Sequence, residues 1–126
     1  MDEVVRLLIV DDDEAIRSFF AEIFAEDDYW IESAADGEEA MRRIAANSYD
    51  VVVTDLCMPR MDGLRLIREI QKVRAGTTVL AITGYGTIKD TVSLMKNGAF
   101  DVLSKPFSLD EIARLVRTAL RPGKVA

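Results

Sequence analysis

Along the 126-residue chain, five short apolar segments alternate with five segments in which apolar residues recur at helical spacing. The apolar segments predict strands, and a spacing of three and four residues predicts amphipathic helices. The predicted strands cover residues 4–10, 29–34, 77–82 and 100–104 and a run of valines that begins at residue 51. Because strands and helices alternate, the strands are expected to be parallel, with helices covering both faces of one sheet.

Right-handed crossovers leave few strand orders for such a sheet. The order with a switch point beside the first strand is 2-1-3-4-5, so we predict a flavodoxin-like α/β fold, a doubly wound (βα)5 arrangement with a parallel five-stranded sheet.

Helix boundaries can also be predicted from the sequence. Asn97-Gly98 is a typical helix end. The residues that predict helix starts are N-cap side chains, in two cases with a glutamate at capping-box spacing. They are Asp13, Asp36 with Glu39, and Ser108 with Glu111.

Composition narrows the class of protein. The length suits a single domain, which we expect over residues 1–122, followed by a short C-terminal tail at residues 123–126. A formal charge of −6 is unfavourable for direct nucleic-acid binding, and the apolar runs are too short to span a membrane. The single cysteine excludes an internal disulfide and fits a cytoplasmic location, while the absence of histidine removes His-based triads and most zinc sites.

Polar side chains stand at the carboxyl ends of four predicted strands. They are Asp11 and Asp12 after the first strand, Asp55 after the third, Thr83 after the fourth and Lys105 after the fifth. Because these ends lie at one edge of a parallel sheet, the side chains are expected to share a pocket. Taken singly, each has a simpler explanation: the aspartates could cap a helix or turn, Thr83 could end a strand, and Lys105 could be an ordinary surface lysine.

Three carboxylates in one pocket need positive charge nearby. Lys105 supplies one charge, and hard oxygen ligands without histidine or cysteine side chains favour Mg²⁺ as the other. Carboxylates, Mg²⁺, a hydroxyl and a lysine together predict phosphoryl transfer. Asp55 is then the predicted nucleophile, since carboxylates can form aspartyl phosphates. Thr83 and Lys105 are expected to bind phosphoryl oxygens.

Over nearly its whole length the chain resembles the receiver domain of bacterial two-component response regulators. The matching segments are Leu8-Ile9-Val10-Asp11-Asp12, residues 54–63 (TDLCMPRMDG), Thr83-Gly84-Tyr85-Gly86 and Lys105-Pro106-Phe107. The resemblance implies that Asp55 is the phospho-acceptor and that Asp11 and Asp12 bind Mg²⁺, with the main-chain carbonyl of Cys57 completing the metal shell. It also implies that Thr83 is the switch hydroxyl, that Lys105 binds the phosphate, and that the Lys105–Pro106 bond is cis.

By the same resemblance, the chain is a phosphorylation-activated switch and not an enzyme that acts on outside substrates. The expected partners are a sensor histidine kinase, a downstream effector domain or protein, and a second copy of the domain. Residues 83–101 are similar to receivers of enhancer-binding transcription activators, which favours a role in regulating transcription. The expected output surface combines the fourth helix, the fifth strand and the last helix. Val102 departs from the family, which usually has an aromatic residue there.

Two other functions remain open from the sequence. An interaction module that no longer signals by phosphate is suggested only by Val102. A Mg²⁺-dependent phosphohydrolase acting on outside substrates is disfavoured, because such enzymes usually carry a second aspartate two residues after the nucleophile, where this chain has Cys57.

Overall fold

A computed structural model describes residues 4–25, 29–56, 63–74, 76–84, 88–104 and 107–120. Ten elements alternate strictly between strand and helix, which confirms the predicted pattern. The strands are β1 (Arg6–Val10), β2 (Trp30–Ala34), β3 (Val51–Asp55), β4 (Thr78–Thr83) and β5 (Ala99–Ser104). The helices are α1 (Glu14–Phe24), α2 (Gly37–Ala46), α3 (Gly63–Val73), α4 (Ile88–Lys96) and α5 (Leu109–Leu120).

The five strands form one parallel sheet in the order β2-β1-β3-β4-β5, which confirms the predicted flavodoxin-like topology. The first strand begins at Arg6, two residues later than predicted, because the ladder to β2 starts with the Arg6–Trp30 pair and Val4 lies exposed before it. In the part of the chain that the structure describes, no helix has the length and apolar character needed to cross a membrane.

The run of valines at the start of β3 divides its side chains between two apolar layers. Val52 packs in the layer that also contains residues of α2, α3 and α4, whereas Val51 and Val53 pack in the layer with α1 and α5. All five residues of β3 are buried. A strand covered on both faces has no solvent-facing side, which explains why its sequence shows no alternation of polar and apolar residues.

The predicted helix starts are confirmed by their hydrogen bonds. The Asp13 carboxylate accepts from Ala15 N at 2.9 Å, and the Asp36 carboxylate accepts from Glu39 N at 2.8 Å. Before α5, Ser108 and Glu111 form the predicted capping box, in which each side chain accepts from the other residue's backbone N–H. Glu39 differs slightly, because its carboxylate accepts from the N–H of residue 35 rather than from that of the N-cap itself.

The turn between α4 and β5 is held against α3. Gly98 has a φ of +121°, a conformation that residues with a Cβ rarely adopt, and it follows the end of α4 as predicted. Gln71 Nε2 donates to the Gly98 carbonyl at 3.3 Å, and Arg68 Nε donates to Asn97 Oδ1 at 3.0 Å. Two side chains of α3 therefore hold the point where α4 ends.

An irregularity in the β4–β5 pairing lies just after this turn. Val79 pairs with Ala99, but Leu80 pairs with Asp101, so Phe100 is an extra residue on β5. Its side chain is 40% exposed, although the sequence analysis placed it in an apolar strand. An extra residue locally redirects side chains, which accounts for the exposure of Phe100 directly after buried Ala99.

Candidate functional site

Three carboxylates meet at the carboxyl ends of the neighbouring strands β1 and β3. Asp11 and Asp12 follow β1 directly, and Asp55 is the last residue of β3. One oxygen from each carboxylate lies within 4.8 Å of the others. Asp11 and Asp55 are only 3% and 7% exposed, whereas Asp12 is open to solvent. The structure therefore brings together the three acidic residues singled out from the sequence.

Hydrogen bonds hold both the backbone and the carboxylate of Asp11. Its backbone N–H donates to the Ala34 carbonyl at 3.1 Å, which extends the β1–β2 ladder by one residue. Its carboxylate accepts from the N–H of Asp13 at 2.9 Å, and its carbonyl accepts from Arg17 Nη1 at 2.6 Å. The sequence analysis did not identify Arg17. A signal was present, because a cation in the first turns of a helix is unfavourable for the helix dipole and suggests a specific partner.

Asp55 is fixed by the centre of the sheet. It pairs with Ile82 of β4, and the following N–H, that of Leu56, donates to the Ile82 carbonyl at 3.1 Å. The hydroxyl of Thr54 donates to the Asp55 carbonyl at 2.9 Å. A charged side chain at the end of a fully buried strand carries a desolvation cost unless polar groups or a cation surround it. The rigid backbone thus presents a buried carboxylate toward the carboxyl edge of the sheet.

Thr83 ends β4 one residue beyond Ile82, the residue paired with Asp55. The geometry of adjacent strands puts the Cα atoms of Thr83 and Asp55 about 6 Å apart. Leu80 and Ile82 pack in the layer of α1 and α5, so alternation along β4 assigns buried Thr83 to the side of the sheet that α4 covers. Thr83 therefore ends the strand next to Asp55. Its side chain belongs to the face of the sheet that α4 covers, not to the face covered by α1 and α5.

Two other predicted site residues, Lys105 and Cys57, lie outside the described residues, as does the Lys105–Pro106 bond expected to be cis. Residue 105 follows Ser104, the partner of Thr83 at the end of β5.

The donor chemistry of the carboxylate cluster fits Mg²⁺. Oxygens bound to one Mg²⁺ at about 2.0–2.1 Å are separated by at most about 4.2 Å, close to the spacing of the three carboxylate oxygens. All three are hard anionic donors, and the exposed Asp12 leaves one side open to water, which Mg²⁺ usually retains. The cluster could therefore bind a divalent metal with small side-chain adjustments.

A second group of ionisable side chains lies between β2, α2 and the residues before β3. The hydroxyl of buried Tyr49 donates to the Glu32 carboxylate, and Arg43 makes ion pairs with Glu32 at 3.9 Å and with Glu39 at 3.5 Å. Burial, together with the hydrogen bond to Glu32, raises the pKa of Tyr49 to about 12. This group joins the edge strand to α2 and contains none of the three clustered aspartates.

Large apolar side chains are exposed around α4 and the start of β5. Val92 and Met95, one turn apart on α4, are 46% and 45% exposed, and Phe100 follows on β5. We call these three residues the α4–β5 surface. Val102, at the family's aromatic position, is instead partly buried and packs against the core layer that contains α4 residue Leu94.

Comparison with known proteins identifies the family. The response regulator receiver domain model matches residues 7–117. The chain is 36% identical over 121 residues to the response regulator MprA of Mycobacterium ulcerans, a match that covers 96% of this chain and 52% of MprA. It is 32% identical to the transcriptional regulatory protein TcrA of Mycobacterium tuberculosis, with 96% of this chain and 48% of TcrA covered. The beryllofluoride-activated receiver domain dimer of NtrC4 superposes with a TM-score of 0.85 at 34% identity, covering 90% of this chain and 94% of that one.

The chain therefore belongs to the receiver domain family of response regulators, as its sequence motifs predicted. Members of this family are two-component signalling proteins, and phosphorylation of an aspartate with Mg²⁺ is a general feature of them. The chain spans about half the length of the curated relatives it matches.

Proposed function

We propose that this domain is a switch activated by phosphorylation of Asp55. The observation that carries the proposal is the convergence of Asp55 with Asp11 and Asp12 within 4.8 Å at the carboxyl edge of a receiver fold. A carboxylate oxygen of Asp55 attacks the phosphorus of a phosphohistidine on a sensor kinase. The P–N bond breaks, the imidazole leaves with the electron pair, and an acyl phosphate forms on Asp55.

The metal ligands in this proposal are the carboxylates of Asp11, Asp12 and Asp55 and the main-chain carbonyl of Cys57. When bound, Mg²⁺ offsets the negative charge that the incoming phosphoryl oxygens add to a pocket already lined by carboxylates. Asp11 and Asp12 position the ion, while the buried backbone of β3 orients the Asp55 oxygen toward phosphorus. The same residues support hydrolysis of the acyl phosphate, which resets the switch.

Thr83 and Lys105 are the proposed sensors of the phosphoryl group. The Thr83 hydroxyl donates to one phosphoryl oxygen, and the ammonium of Lys105 pairs with another. Thr83 belongs by alternation to the side of the sheet covered by α4, so its movement toward Asp55 would change the packing under α4. This route does not require an aromatic residue at position 102, where Val102 already fills part of the core.

The proposed output is a change in partner binding through the surface of α4, β5 and α5. Its exposed apolar residues, those of the α4–β5 surface, offer an area that a partner can cover. The NtrC4 receiver is a dimer when activated by beryllofluoride, and we propose a second copy of this domain as one partner here. An effector domain or protein that regulates transcription is the other, consistent with relatives such as TcrA.

Two further features complete the proposal. With a net charge of −6, the domain itself is not expected to bind nucleic acid, so DNA recognition belongs to the effector. We assign the receiver to residues 1–122, with residues 123–126 as a tail, and its location to the cytoplasm. The match over residues 7–117 supports that extent, and the single cysteine supports that location.

The direct test is phosphorylation by acetyl phosphate and Mg²⁺, followed by intact-protein mass spectrometry. The wild-type domain should gain one phosphoryl group, and Asp55→Asn should gain none. Asp110→Asn is the matched control, because Asp110 is an exposed aspartate in the first turn of α5 that does not belong to the carboxylate cluster, and it should behave as wild type. Phosphate uptake by Asp55→Asn, or steady turnover of a generic phosphate ester by the wild type, would contradict the proposal.

A further inference from the structure

We infer that Arg17 is a positioning residue for the metal-binding aspartates, acting through the main-chain carbonyl of Asp11. The inference rests on the proposed function of the Asp11, Asp12 and Asp55 cluster and adds a residue to its machinery. Arg17 lies in α1, and its guanidinium reaches back to the residue that follows β1. It has no role in the motifs from which the site was predicted.

The contact is short and well placed. Arg17 Nη1 donates to Asp11 O at 2.6 Å, just below the range of about 2.7–2.9 Å that is usual for charge-assisted N–H···O hydrogen bonds. Arg17 is half-buried and lines a groove between α1 and the edge strand β2, with Ile31 and Ser33 on the opposite wall. Its side chain is thus packed along the protein surface with the guanidinium bound at one end.

The position of the arginine argues for a specific task. A cation in the first turns of a helix opposes the helix dipole, which destabilises the helix unless another contact offsets it. The hydrogen bond to the Asp11 carbonyl offsets that cost, since a hydrogen bond that involves a charged group is stronger than one between neutral groups. A planar guanidinium also holds its N–H groups in a fixed geometry, so it orients the acceptor more firmly than a flexible ammonium does.

The carbonyl that Arg17 holds lies between the two metal-binding aspartates that follow β1. Asp11 and Asp12 are joined by the peptide unit that contains this carbonyl, so its orientation sets the directions of both side chains. Backbone groups also contact Asp11, since its N–H donates to the Ala34 carbonyl and its carboxylate accepts from the N–H of Asp13. Arg17 is therefore a side chain whose substitution loosens this peptide unit while leaving every carboxylate of the cluster in place.

Positioning and simple electrostatics predict opposite results. As a mere positive charge near the site, Arg17 would repel a divalent cation, and its removal would strengthen Mg²⁺ binding. As a positioning residue it pre-organises the ligands, and its removal would weaken Mg²⁺ binding. Loss of a residue that orients metal ligands typically lowers metal affinity by about 10-fold or more. The direction of the change therefore separates the two roles.

The test is Mg²⁺ binding by isothermal titration calorimetry to the wild-type domain, Arg17→Gln, Arg17→Lys and the control Arg42→Gln. Arg42 is an exposed arginine on α2. We expect about 10-fold weaker binding for Arg17→Gln, a smaller loss for Arg17→Lys, and wild-type affinity for Arg42→Gln. In acetyl phosphate assays, the Mg²⁺ concentration for half-maximal phosphorylation of Arg17→Gln should rise by the same factor, with the maximal rate retained at saturating Mg²⁺.

Unchanged or tighter Mg²⁺ binding by Arg17→Gln would overturn the inference. A lower maximal rate with unchanged affinity would also overturn it. Thermal melts in excess chelator show whether each variant folds. If Arg17→Gln does not fold, Arg17→Lys decides the matter. Weaker Mg²⁺ binding by Arg17→Lys then supports the inference, and wild-type affinity refutes it. Failure of the wild type to bind Mg²⁺ or to be phosphorylated would instead refute the proposed function, and this inference with it.

Discussion

Replacing Gly98 by alanine tests the junction between α4 and β5. Gly98 has a φ of +121°, which is strained for any residue with a Cβ. A Cβ added there would lie 2.5 Å from Gln71 Cγ, well inside van der Waals contact. The same glutamine donates from Nε2 to the Gly98 carbonyl at 3.3 Å. Alanine therefore imposes backbone strain and displaces the side chain that holds the turn.

The magnitude follows from three contributions. A residue held in a sparsely populated φ region costs about 1–3 kcal/mol. Moving Gln71 away removes a hydrogen bond, which contributes about 0.5–1.5 kcal/mol. Alanine also restricts the unfolded chain, which returns about 0.4–1 kcal/mol of stability. We expect Gly98→Ala to lower the free energy of unfolding by about 2–3 kcal/mol.

Urea denaturation measures this change, and two further variants isolate its origin. Gly76→Ala is the matched control, because an added Cβ at Gly76 meets no atom within 4 Å, and its effect should stay within about 1 kcal/mol. In a Gln71→Ala background the clash disappears, so Gly98→Ala should cost about 1 kcal/mol less than in the wild type. Equal effects of the Gly98 and Gly76 substitutions would refute the reasoning.

Two other predictions concern the buried Tyr49 hydroxyl and the exposed α4–β5 surface. Tyr49→Phe should lower the free energy of unfolding by about 1–2 kcal/mol at neutral pH, through loss of the hydrogen bond to Glu32. The pKa of Tyr49 is raised to about 12 from the usual 10.0, so its stabilising contribution is complete below pH 10 and is lost between about pH 10 and 12. Urea titrations of both proteins across that range should show their stability difference shrinking; a widening difference would contradict the assignment. Met95→Asp should abolish dimerisation induced by beryllofluoride and Mg²⁺ in sedimentation velocity, whereas Val73→Asp, an equally exposed residue on α3, should not. Equal behaviour of the two aspartate variants would argue against the α4–β5 surface.

Convergence of Asp11, Asp12 and Asp55 could be predicted from sequence because it depends only on topology. Parallel strands present their carboxyl ends at one edge, so residues that follow neighbouring strands meet whatever the packing details. Arg17 could not be assigned in this way. A long side chain on a helix has many rotamers, and only the placement of α1 beside β1 and β2 shows that its guanidinium reaches the carbonyl of Asp11.

The rest of the fold also divides into features set by local sequence and contacts set by packing. Local patterns predicted the alternation of strands and helices, the caps at Asp36 and Ser108 and the end of α4, because each depends on residues within a few positions of one another. Contacts between residues that are distant in sequence could not be predicted from such local patterns. The extra residue at Phe100 arises from the β4–β5 register, and the Tyr49–Glu32 bond joins residues 17 positions apart.

The amino-acid sequence alone therefore determined the class of fold, the family and the acidic residues of the candidate site, since hydrophobic periodicity and strand ends carry that information. The tertiary structure decided which side chains support those residues and which apolar groups remain exposed. Arg17 on the Asp11 carbonyl and Gln71 on the Gly98 carbonyl are contacts of this kind. They depend on distances between elements, which packing sets and no local sequence pattern encodes.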